Sequence, residues 1–344
     1  MNRILIIGLA VIFLAQAGCG RAGTVKKTEF IMGTRVSISV PGNQLENIPA
    51  ENNSAKTVFE KGFQAVREVD ALLSAWRGNS QVSQLNKLKP GEKMDLDPDF
   101  GEILKTSIYL NQVTKGAFDI TINPLLALWG FGAKESNNFK IPSDQEIEQC
   151  LKQVGSEKII YDHINKQAGF KAAGMQIDLG GIAKGYAVDK AADVLKNLGI
   201  KKALIEAGGD IYCLGDGLKD RGWRIGVQHP RDKEQYLMIL KLTDKAVATS
   251  GDYENYFSKD NKRYSHIIDP RTGRTVQETL MSVTIIADDC TTADALATAV
   301  FVMGPVKGLR FIESQKDIEA VIISGSQKEI KISTSSGMGK FQVR

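Results

Sequence analysis

The amino-acid sequence predicts an α+β fold, in which a single domain over residues 28–344 combines mixed β-sheets and helices around a cleft. Segments with the two-residue alternation of strands are interleaved with segments whose apolar residues recur every three or four positions, as in amphipathic helices. Glycine- and proline-containing turns separate these segments. The 344 residues supply ample material for a hydrophobic core.

The composition is that of an ordinary globular protein. Hydrophobic residues make up 42% and charged residues 24% of the chain, and the formal net charge is +4. Because this positive excess is small for the length, nothing in the charge balance calls for nucleic acid, and we predict none as a partner.

The first nineteen residues have the pattern of a targeting segment. Arg3 supplies a positive start, and the apolar run over residues 4–15 is too short to span a bilayer comfortably as a permanent helix. The sequence Ala17-Gly18-Cys19 resembles a bacterial lipoprotein cleavage site, although Gln16 stands where an aliphatic residue is usual. We therefore predict a signal peptide over residues 1–18 and a lipidated Cys19 with a tether over 19–27. Simple secretion is the alternative.

The first half of the chain contains distinct helix and strand patterns. Residues 35–40 alternate as a half-buried strand, and the apolar stripe of residues 58–73 predicts a long amphipathic helix. Asp97 is placed to cap a second helix, which Gly116 closes. Further predictions are a loop over residues 41–54, a short strand over 119–124, a short helix over 144–154 and a strand from residue 158.

Residues 177–186, with the sequence IDLGGIAKGY, are the most informative stretch. A predicted strand carries Asp178, the chain turns on Gly180-Gly181, and a helix follows that Gly199 closes. This arrangement leaves backbone N–H groups free at the positive end of a helix, where an anionic ligand can lie close, and Lys184 adds a cation. The alternative is a tight connection without a ligand, because the spacing is neither the dinucleotide fingerprint nor a P-loop.

The second half of the chain predicts strands separated by turns, followed by one long helix. A strand over residues 203–207 ends at a second glycine pair beside Glu206 and Asp210. Residues 269–273 have turn chemistry, and residues 288–304 predict an alanine-rich helix with an acidic and threonine-rich start. Further strands are predicted over residues 223–228, 238–242, 246–251, 282–287, 319–323 and 330–334.

Two oxygen-bearing residues of the last helix are candidates for holding a cation. Asp294 and Thr298 lie four residues apart and share one helix face. Such a sparse oxygen site suits Mg²⁺, which takes one or two carboxylates and fills its remaining positions with water and substrate phosphates. The alternative is that Asp294 only caps the helix or interacts with its dipole.

The histidines and cysteines do not predict a zinc site. Zinc would need a cluster of histidine or cysteine ligands, but the three histidines are well separated along the chain. His163 and His229 are predicted to be solvated loop residues, whereas His266 precedes the turn at 269–273 and is open to a catalytic or a structural role. The cysteines at positions 150, 213 and 290 are too dispersed for a disulfide framework and are predicted to be small buried residues.

These motifs together resemble the ApbE family of FAD:protein FMN transferases, from about residue 30 to the C-terminus. Several ordered motifs at family-like separations make chance a poor explanation. The matching motifs are Phe30-Ile31-Met32-Gly33-Thr34, Ala117-Phe118-Asp119 with Asn123-Pro124-Leu125, Asp178-Leu179-Gly180-Gly181-Ile182-Ala183-Lys184, Glu206-Ala207-Gly208-Gly209-Asp210, Thr249-Ser250-Gly251, His266-Ile267-Ile268-Asp269-Pro270, and Ala293-Asp294 with Thr298.

The resemblance implies an ApbE-like, T-fold-like catalytic domain that binds FAD and cuts it at the pyrophosphate. The FMN half would pass to a threonine or serine hydroxyl of an acceptor flavoprotein, for example a subunit of a Na⁺-pumping NADH:quinone reductase, and AMP would leave. Many members are anchored on the outer side of the bacterial inner membrane, which agrees with the lipoprotein start and implies a site facing the periplasm or cell exterior.

The resemblance also assigns residues to roles. Magnesium would be held by the Gly181 carbonyl, Asp294 and Thr298, and His266 would be the catalytic histidine, with Asp294 an alternative base. The remaining assignments are contacts to FAD, with Trp76 near the flavin ring. These contact residues are Met32, Trp76, Ala117, Phe118, Asp119, Asp178, Lys184, Glu206 and Ile267.

Three other functions stay open on the sequence alone. A Mg²⁺-dependent FAD pyrophosphatase would use the same site with water in place of threonine. A flavin-binding lipoprotein without catalytic activity would need neither His266 nor metal. A flavin oxidoreductase would keep FAD intact and turn over an electron donor.

Overall fold

The structure is a computed structural model that describes residues 23–46, 54–132, 139–218, 221–260, 262–276, 280–326 and 329–343. The predicted signal peptide and the predicted lipidation of Cys19 lie outside these residues. The helices are α1 Gly42–Glu46, α2 Ala55–Leu73, α3 Gln81–Leu85, α4 Pro98–Val113, α5 Asn123–Trp129, α6 Asp144–Leu151, α7 Ala183–Asn197 and α8 Cys290–Glu313.

Seventeen strands are present in the described part of the chain. They are β1 Thr24–Ile31, β2 Thr34–Pro41, β3 Lys93–Asp95, β4 Ile159–Asp162, β5 Gln167–Phe170, β6 Ala203–Ala207, β7 Asp210–Leu214, β8 Trp223–His229, β9 Asp232–Leu242, β10 Lys245–Gly251, β11 Tyr256–Lys259, β12 Lys262–Ser265, β13 Ile268–Asp269, β14 Arg274–Thr275, β15 Leu280–Ala287, β16 Glu319–Gly325 and β17 Ile330–Thr334.

An eight-stranded sheet forms the centre of the fold, in the order β1-β2-β6-β7-β10-β15-β16-β17. Each neighbouring pair in this sheet is antiparallel. Every residue of β6, β7 and β15 is buried, because both faces of these strands are covered. The sheet and its helices confirm the predicted α+β class.

Helices α2, α7 and α8 cover one face of the sheet and enclose the main hydrophobic core with it. The predicted apolar stripe of α2 is buried, and the Ser54 hydroxyl caps the helix by accepting from the Thr57 N–H. The opposite face carries a second core under the β8–β9 hairpin. A third, partly aromatic cluster joins α5 and α6 to β11–β12.

Two strands expected from the sequence are absent from the sheets. Residues 175–179 run without a ladder partner, because the Asn86 side chain accepts from the Ile177 N–H and donates to its carbonyl in place of a neighbouring strand. Residues 119–124 begin a 3₁₀ turn, Ile120–Ile122, that runs into α5. The Asp119 carboxylate accepts from the Thr121 N–H and Pro124 stands in the first turn of α5, and both features favour a helix start.

Three predicted boundaries also differ. Residues 24–27, expected in the tether, are the first half of β1, and the predicted loop after β2 begins with the short helix α1. His229, expected in a solvated loop, ends β8, where its Nδ1 accepts from the Arg231 and Asp232 N–H groups. The last predicted helix continues beyond residue 304, because a kink at Gly304 and Pro305 leads into a further helical segment.

Among the described helices, α8 is the one that is long and apolar enough to cross a membrane by length and composition. Half of the apolar window in α8 is buried inside the fold. It packs on β10, β15 and α7 and therefore serves as a core helix.

Gly185 allows α7 and α8 to approach each other closely. A Cβ atom added at Gly185 would lie 2.2 Å from the Cys290 carbonyl oxygen and 2.6 Å from its carbon. These are backbone atoms of the first turn of α8 and cannot turn aside as a flexible side chain would. The α7–α8 packing distance therefore depends on this glycine.

We expect Gly185→Ala to lower the free energy of unfolding by about 1–3 kcal/mol, because α8 must move away from α7 to admit the methyl group. Gly101→Ala on α4 is the matched control, since its added Cβ meets only the Tyr161 hydroxyl, at 3.8 Å. In that control the free energy of unfolding should rise by about 0.5–1 kcal/mol, because alanine has a higher helix propensity than glycine. Thermal and denaturant unfolding of both variants measures the effect, and equal stability of the two would contradict the close contact.

Candidate functional site

Lys184 lies at the centre of a group of carboxylates between α7, α8 and the central sheet. Its ammonium forms an ion pair with Asp210, the first residue of β7, and lies 3.3 Å and 3.4 Å from the two carboxylate oxygens of Asp294 on α8. Asp210 and Asp294 are 1% and 3% exposed, so both acids are buried. The charge of Glu254 also acts on Lys184.

The charges in this group strongly influence one another. Burial opposes the charged form of Lys184, but Asp210, Asp294 and Glu254 outweigh it and raise the lysine pKa. Burial and the charge of Asp294 raise the pKa of Asp210 despite the opposing effect of Lys184. Burial also raises the pKa of Glu254 to about 7. The charge of Lys184 opposes this rise, and the charge of Asp294 adds to it. Three acids thus face one ammonium, and the site favours additional positive charge.

Asp294 is held at the N-terminal end of α7. The Gly185 N–H, one of the donors that a first helical turn leaves unpaired, donates to Asp294 Oδ2 at 3.1 Å. Ile182 at the N-cap position has no side chain that could cap the helix. Asp294, which lies on α8, therefore acts as the cap of α7. The positive end of the α7 dipole therefore stabilises the Asp294 carboxylate together with Lys184.

Gly181 and Thr298 meet beside this carboxylate. A Cβ built on Gly181 would be 3.3 Å from Thr298 Oγ1 and 3.6 Å from a ring carbon of Phe118. The Thr298 hydroxyl lies 3.2 Å from that of Ser250 at the end of β10. Within the described residues, no backbone N–H donates to the Gly181 carbonyl. The fold therefore brings the three predicted metal-binding residues to one place.

The chemistry of these groups fits a hard divalent cation. Carboxylate, hydroxyl and carbonyl oxygens are the ligands that Mg²⁺ prefers, and Mg²⁺ needs only one or two carboxylates from the protein. No group of three or more histidine, cysteine or acidic side chains in the described ranges could hold a metal ion by itself. A cation here would therefore depend on Asp294, on the Gly181 and Thr298 oxygens and on oxygens of a substrate.

His266 lies within reach of the Lys184 charge and carries a defined tautomer. Its Nδ1 is 3.0 Å from the Asn255 carbonyl oxygen, and its backbone N–H donates to the same oxygen. A carbonyl can only accept, so Nδ1 bears the proton and Nε2 keeps its lone pair. Burial lowers the pKa of His266; the hydrogen bond to Asn255 opposes this, and the charge of Lys184 adds to it. The imidazole is thus suited to act as a base near neutral pH.

The segment that orients His266 is fixed by arginines. Arg231, in the β8–β9 turn, donates to both oxygens of Asp252 at 2.7 Å and 2.6 Å, and Arg263 on β12 approaches Asp252 at 3.3 Å. Such a bidentate pair defines geometry as well as energy. Because Asp252 precedes Asn255 by three residues, the pair holds the loop whose carbonyl sets the His266 tautomer.

Lys184 and His266 are partly exposed to solvent and Glu254 is exposed, although burial still affects the pKa of each. Such partly enclosed side chains line a cleft. Asp178 lies in the same kind of position, and burial raises its pKa despite the hydrogen bond that it accepts from the Gly180 N–H at 2.7 Å. The predicted FAD contacts Lys184 and Asp178 therefore both line the cleft.

The Ala117–Asp119 segment lies next to Gly181 through the Phe118 ring. Ala117 and Phe118 are buried, at 1% and 4% exposure. The Asp119 carboxylate accepts from Thr121, Ser156 and Asn111, with five donor contacts in all, so its oxygens are fully engaged within the protein. Its structural role is to join the turn before α5 to residues 155–156, and its predicted contact with FAD stays a prediction.

The other predicted FAD contacts are more dispersed. Met32 has φ +54° in the β1–β2 turn, and Trp76 is 46% exposed after α2. Ile267 is buried in the main core. Glu206 accepts from the Ser37 hydroxyl at 2.8 Å and points to the sheet face opposite Lys184, because strand residues alternate and the register pairs Glu206 with Ser37 and Ile211. The structure does not bring Glu206 into the Lys184 cluster.

Four residues that contact the predicted site residues or act on them through their charge were not themselves predicted as site residues. Asp210 had a signal, since it follows a glycine pair at a strand start. Ser250 lies in the motif Thr249-Ser250-Gly251, for which the sequence predicted no role. Nothing in the sequence indicated Glu254 or Asn255 as site residues, because their roles depend on contacts with residues far away in the sequence.

The chain is similar to known proteins over most of its length. The sequence profile of the ApbE family matches residues 32–322. The FAD:protein FMN transferase of Vibrio cholerae is 33% identical over 341 residues, which cover 98% of each protein. The crystal structure of the ApbE protein from Thermotoga maritima matches with a TM-score of 0.83 at 34% identity, covering 93% of this chain and 100% of that one.

The flavin transferase ApbE from Vibrio cholerae matches in structure with a TM-score of 0.82 at 31% identity, over 93% of this chain and 99% of that one. The family match covers most of the sequence, and the similarity in structure extends over 93% of the chain. This chain belongs to the ApbE family.

Proposed function

We propose that this protein transfers the FMN half of FAD to a threonine or serine hydroxyl of an acceptor protein and releases AMP. The observation that carries the proposal is a histidine whose Nδ1–H is held by the Asn255 carbonyl, within reach of the Lys184 charge and therefore close to the oxygen-lined site around Asp294. Membership of a family whose relatives are named FAD:protein FMN transferases supports it.

The reaction needs a base, because a threonine hydroxyl is a poor nucleophile at neutral pH. The hydroxyl oxygen attacks the phosphorus of the FMN half, and its proton passes to His266 Nε2. The bond from this phosphorus to the bridging oxygen breaks, and AMP leaves with the electron pair. We assign the base to His266 rather than to Asp294, because Asp294 is buried and already paired with Lys184 and the Gly185 N–H.

Asp294, Thr298 and the Gly181 carbonyl are the residues that would hold Mg²⁺. Bound there, the ion would offset the negative charge that develops on the pyrophosphate, a contribution of several kcal/mol. Lys184 orients Asp294, and the buried Asp210 fixes the ammonium in turn. The positive end of the α7 dipole lies beside Asp294 and favours an anionic group in the same region.

The sequence also supports a location and a partner class. The motif at Cys19 supports a lipid anchor on the bacterial membrane, with the domain on the periplasmic or outer side. Because β1 begins at Thr24, only four residues separate Cys19 from the fold. The acceptors are flavoprotein subunits of membrane redox complexes, for example a Na⁺-pumping NADH:quinone reductase.

The test incubates residues 20–344 with FAD, Mg²⁺ and a flavoprotein acceptor subunit, followed by intact-mass measurement. An acceptor that gains one FMN, and no longer does so with EDTA, supports the transferase. Free FMN and AMP with an unmodified acceptor would instead indicate an FAD pyrophosphatase. FAD that stays bound and uncut, with an acceptor that a known transferase modifies, would indicate a binding protein.

We expect His266→Ala to bind FAD normally but to lose transfer by about 10²- to 10⁴-fold, because the variant lacks the base. FAD affinity is measured by fluorescence titration and transfer by intact mass. His163→Ala is the matched control, since His163 is exposed in a turn away from the cleft. Transfer at the normal rate by His266→Ala would remove this residue from the mechanism.

We expect Asp294→Asn to raise the Mg²⁺ concentration needed for half-maximal transfer by about tenfold or more, because the substitution removes the one carboxylate assigned to the metal. Asp288→Asn, at an exposed position before α8, is the control and should titrate as the unaltered protein does. An identical Mg²⁺ titration for both variants would refute the metal site.

A further inference from the structure

The hairpin of β11 and β12 joins a basic, exposed surface to the candidate base. Its second strand ends at Ser265, directly before His266. Lys259 and Lys262 form the last cross-strand pair before the turn, and both are exposed. We refer to β11 and β12 as the basic hairpin.

The lysine pair carries an energetic cost in the free protein. Like charges directly opposite each other in an antiparallel pair are destabilising. Within the described part of the chain, neither lysine has a carboxylate in ion-pair distance. An anionic partner would relieve this repulsion.

The base of the basic hairpin is firmly held. Phe257 and Tyr264 lie opposite each other, and their rings stack with centroids 5.0 Å apart in the third hydrophobic cluster. On the other face, the Arg263 guanidinium lies over the Tyr256 ring and approaches Asp252. The lysines therefore stand on a rigid support at a fixed distance from His266.

The edges of the basic hairpin can accept another strand. In the described structure β11 pairs only with β12, so each strand has an outer edge without a ladder partner. An extended peptide can add to such an edge through main-chain hydrogen bonds, and nearby side chains then select its sequence.

We propose that the basic hairpin binds an extended, acidic segment of the acceptor protein beside the hydroxyl that receives FMN. This inference rests on the proposed transferase function. His266 lies four positions after Lys262, which is about 13 Å along a strand. The acceptor should therefore carry carboxylates about four residues from the modified threonine or serine.

The predicted tether joins the fold at the end of β1 and β2 that lies away from the Lys184 cluster. The predicted tether joins the fold at Thr24, which pairs with Pro41. Val36, five residues back along β2, pairs with Ala207, which in turn pairs with Asp210. The membrane-proximal end of β1 and β2 is thus about 16 Å from the end of the sheet that holds the Lys184 cluster.

The first experiment compares Lys259→Gln/Lys262→Gln and Lys259→Glu/Lys262→Glu with the unaltered protein. We expect the KM for the acceptor to rise about fivefold in the neutral variant, and further in the acidic one, with kcat and FAD affinity unchanged. Raising the salt concentration should weaken acceptor binding by the unaltered protein more than acceptor binding by the neutral variant. Lys307→Gln/Lys331→Gln removes the same charge from exposed positions on α8 and β17 and is the matched control.

The second experiment measures binding without transfer. Fluorescent peptides with the acceptor threonine and either aspartates or asparagines four residues away are titrated by anisotropy. The unaltered protein should bind the peptide with aspartates more tightly than the peptide with asparagines. The Lys259→Glu/Lys262→Glu variant should lose this preference. Because no FMN transfer is needed, this result decides the docking proposal even if the transferase assay fails.

Two outcomes would overturn the proposal. An acceptor KM and a peptide preference that stay unchanged in the acidic variant would remove the basic hairpin from acceptor binding, while the transferase would stand. Weaker binding only to phosphatidylglycerol vesicles, with acceptor kinetics unaltered, would assign the lysines to the membrane surface instead.

Discussion

The ion pairs of Lys184 set the geometry on which the site depends. A buried carboxylate without a partner is costly, and Asp210 and Asp294 are both almost fully enclosed. One ammonium from α7 connects them, so the first turn of α7, the start of β7 and the second turn of α8 cannot shift independently. Removing the lysine would leave buried like charges, and breaking such a group costs more than its net contribution to stability suggests.

The contact between α7 and α8 extends this constraint along both helices. Asp189 on α7 accepts from the Cys290 and Thr291 N–H groups, each at 2.8 Å, and from the Thr291 hydroxyl at 2.6 Å. Burial raises the pKa of Asp189 to about 6 even though these bonds favour the ionised form. Together with the close approach at Gly185, this cap sets where α8 begins, and Asp294 and Thr298 follow one and two turns later.

The sequence correctly predicted those helices and strands whose structure is determined by the local spacing of apolar residues. Strand β6 has the predicted bounds because its residues are apolar between clear turns, and the pairing of Asp294 with Thr298 follows from helix geometry alone. The missed elements depend on distant partners. Asn86 replaces a strand neighbour for Ile177, and Asp252 and Asn255 acquire their parts only when Arg231 and His266 fold against them. The three cysteines in the described residues are buried and free, as expected.

The two halves of the proposed chemistry lie on different structural units. The oxygen-lined site belongs to the rigid layer of α7 and α8, whereas His266 belongs to the segment between β11–β12 and the Asp269–Gly273 turn, which that layer does not include. The two units meet at the cleft, where Lys184 acts on His266 through its charge. The site proposed to bind the phosphates can therefore stay fixed by the packing of α7 and α8. Acceptor recognition depends instead on an exposed hairpin, whose side chains can be substituted without disturbing the core.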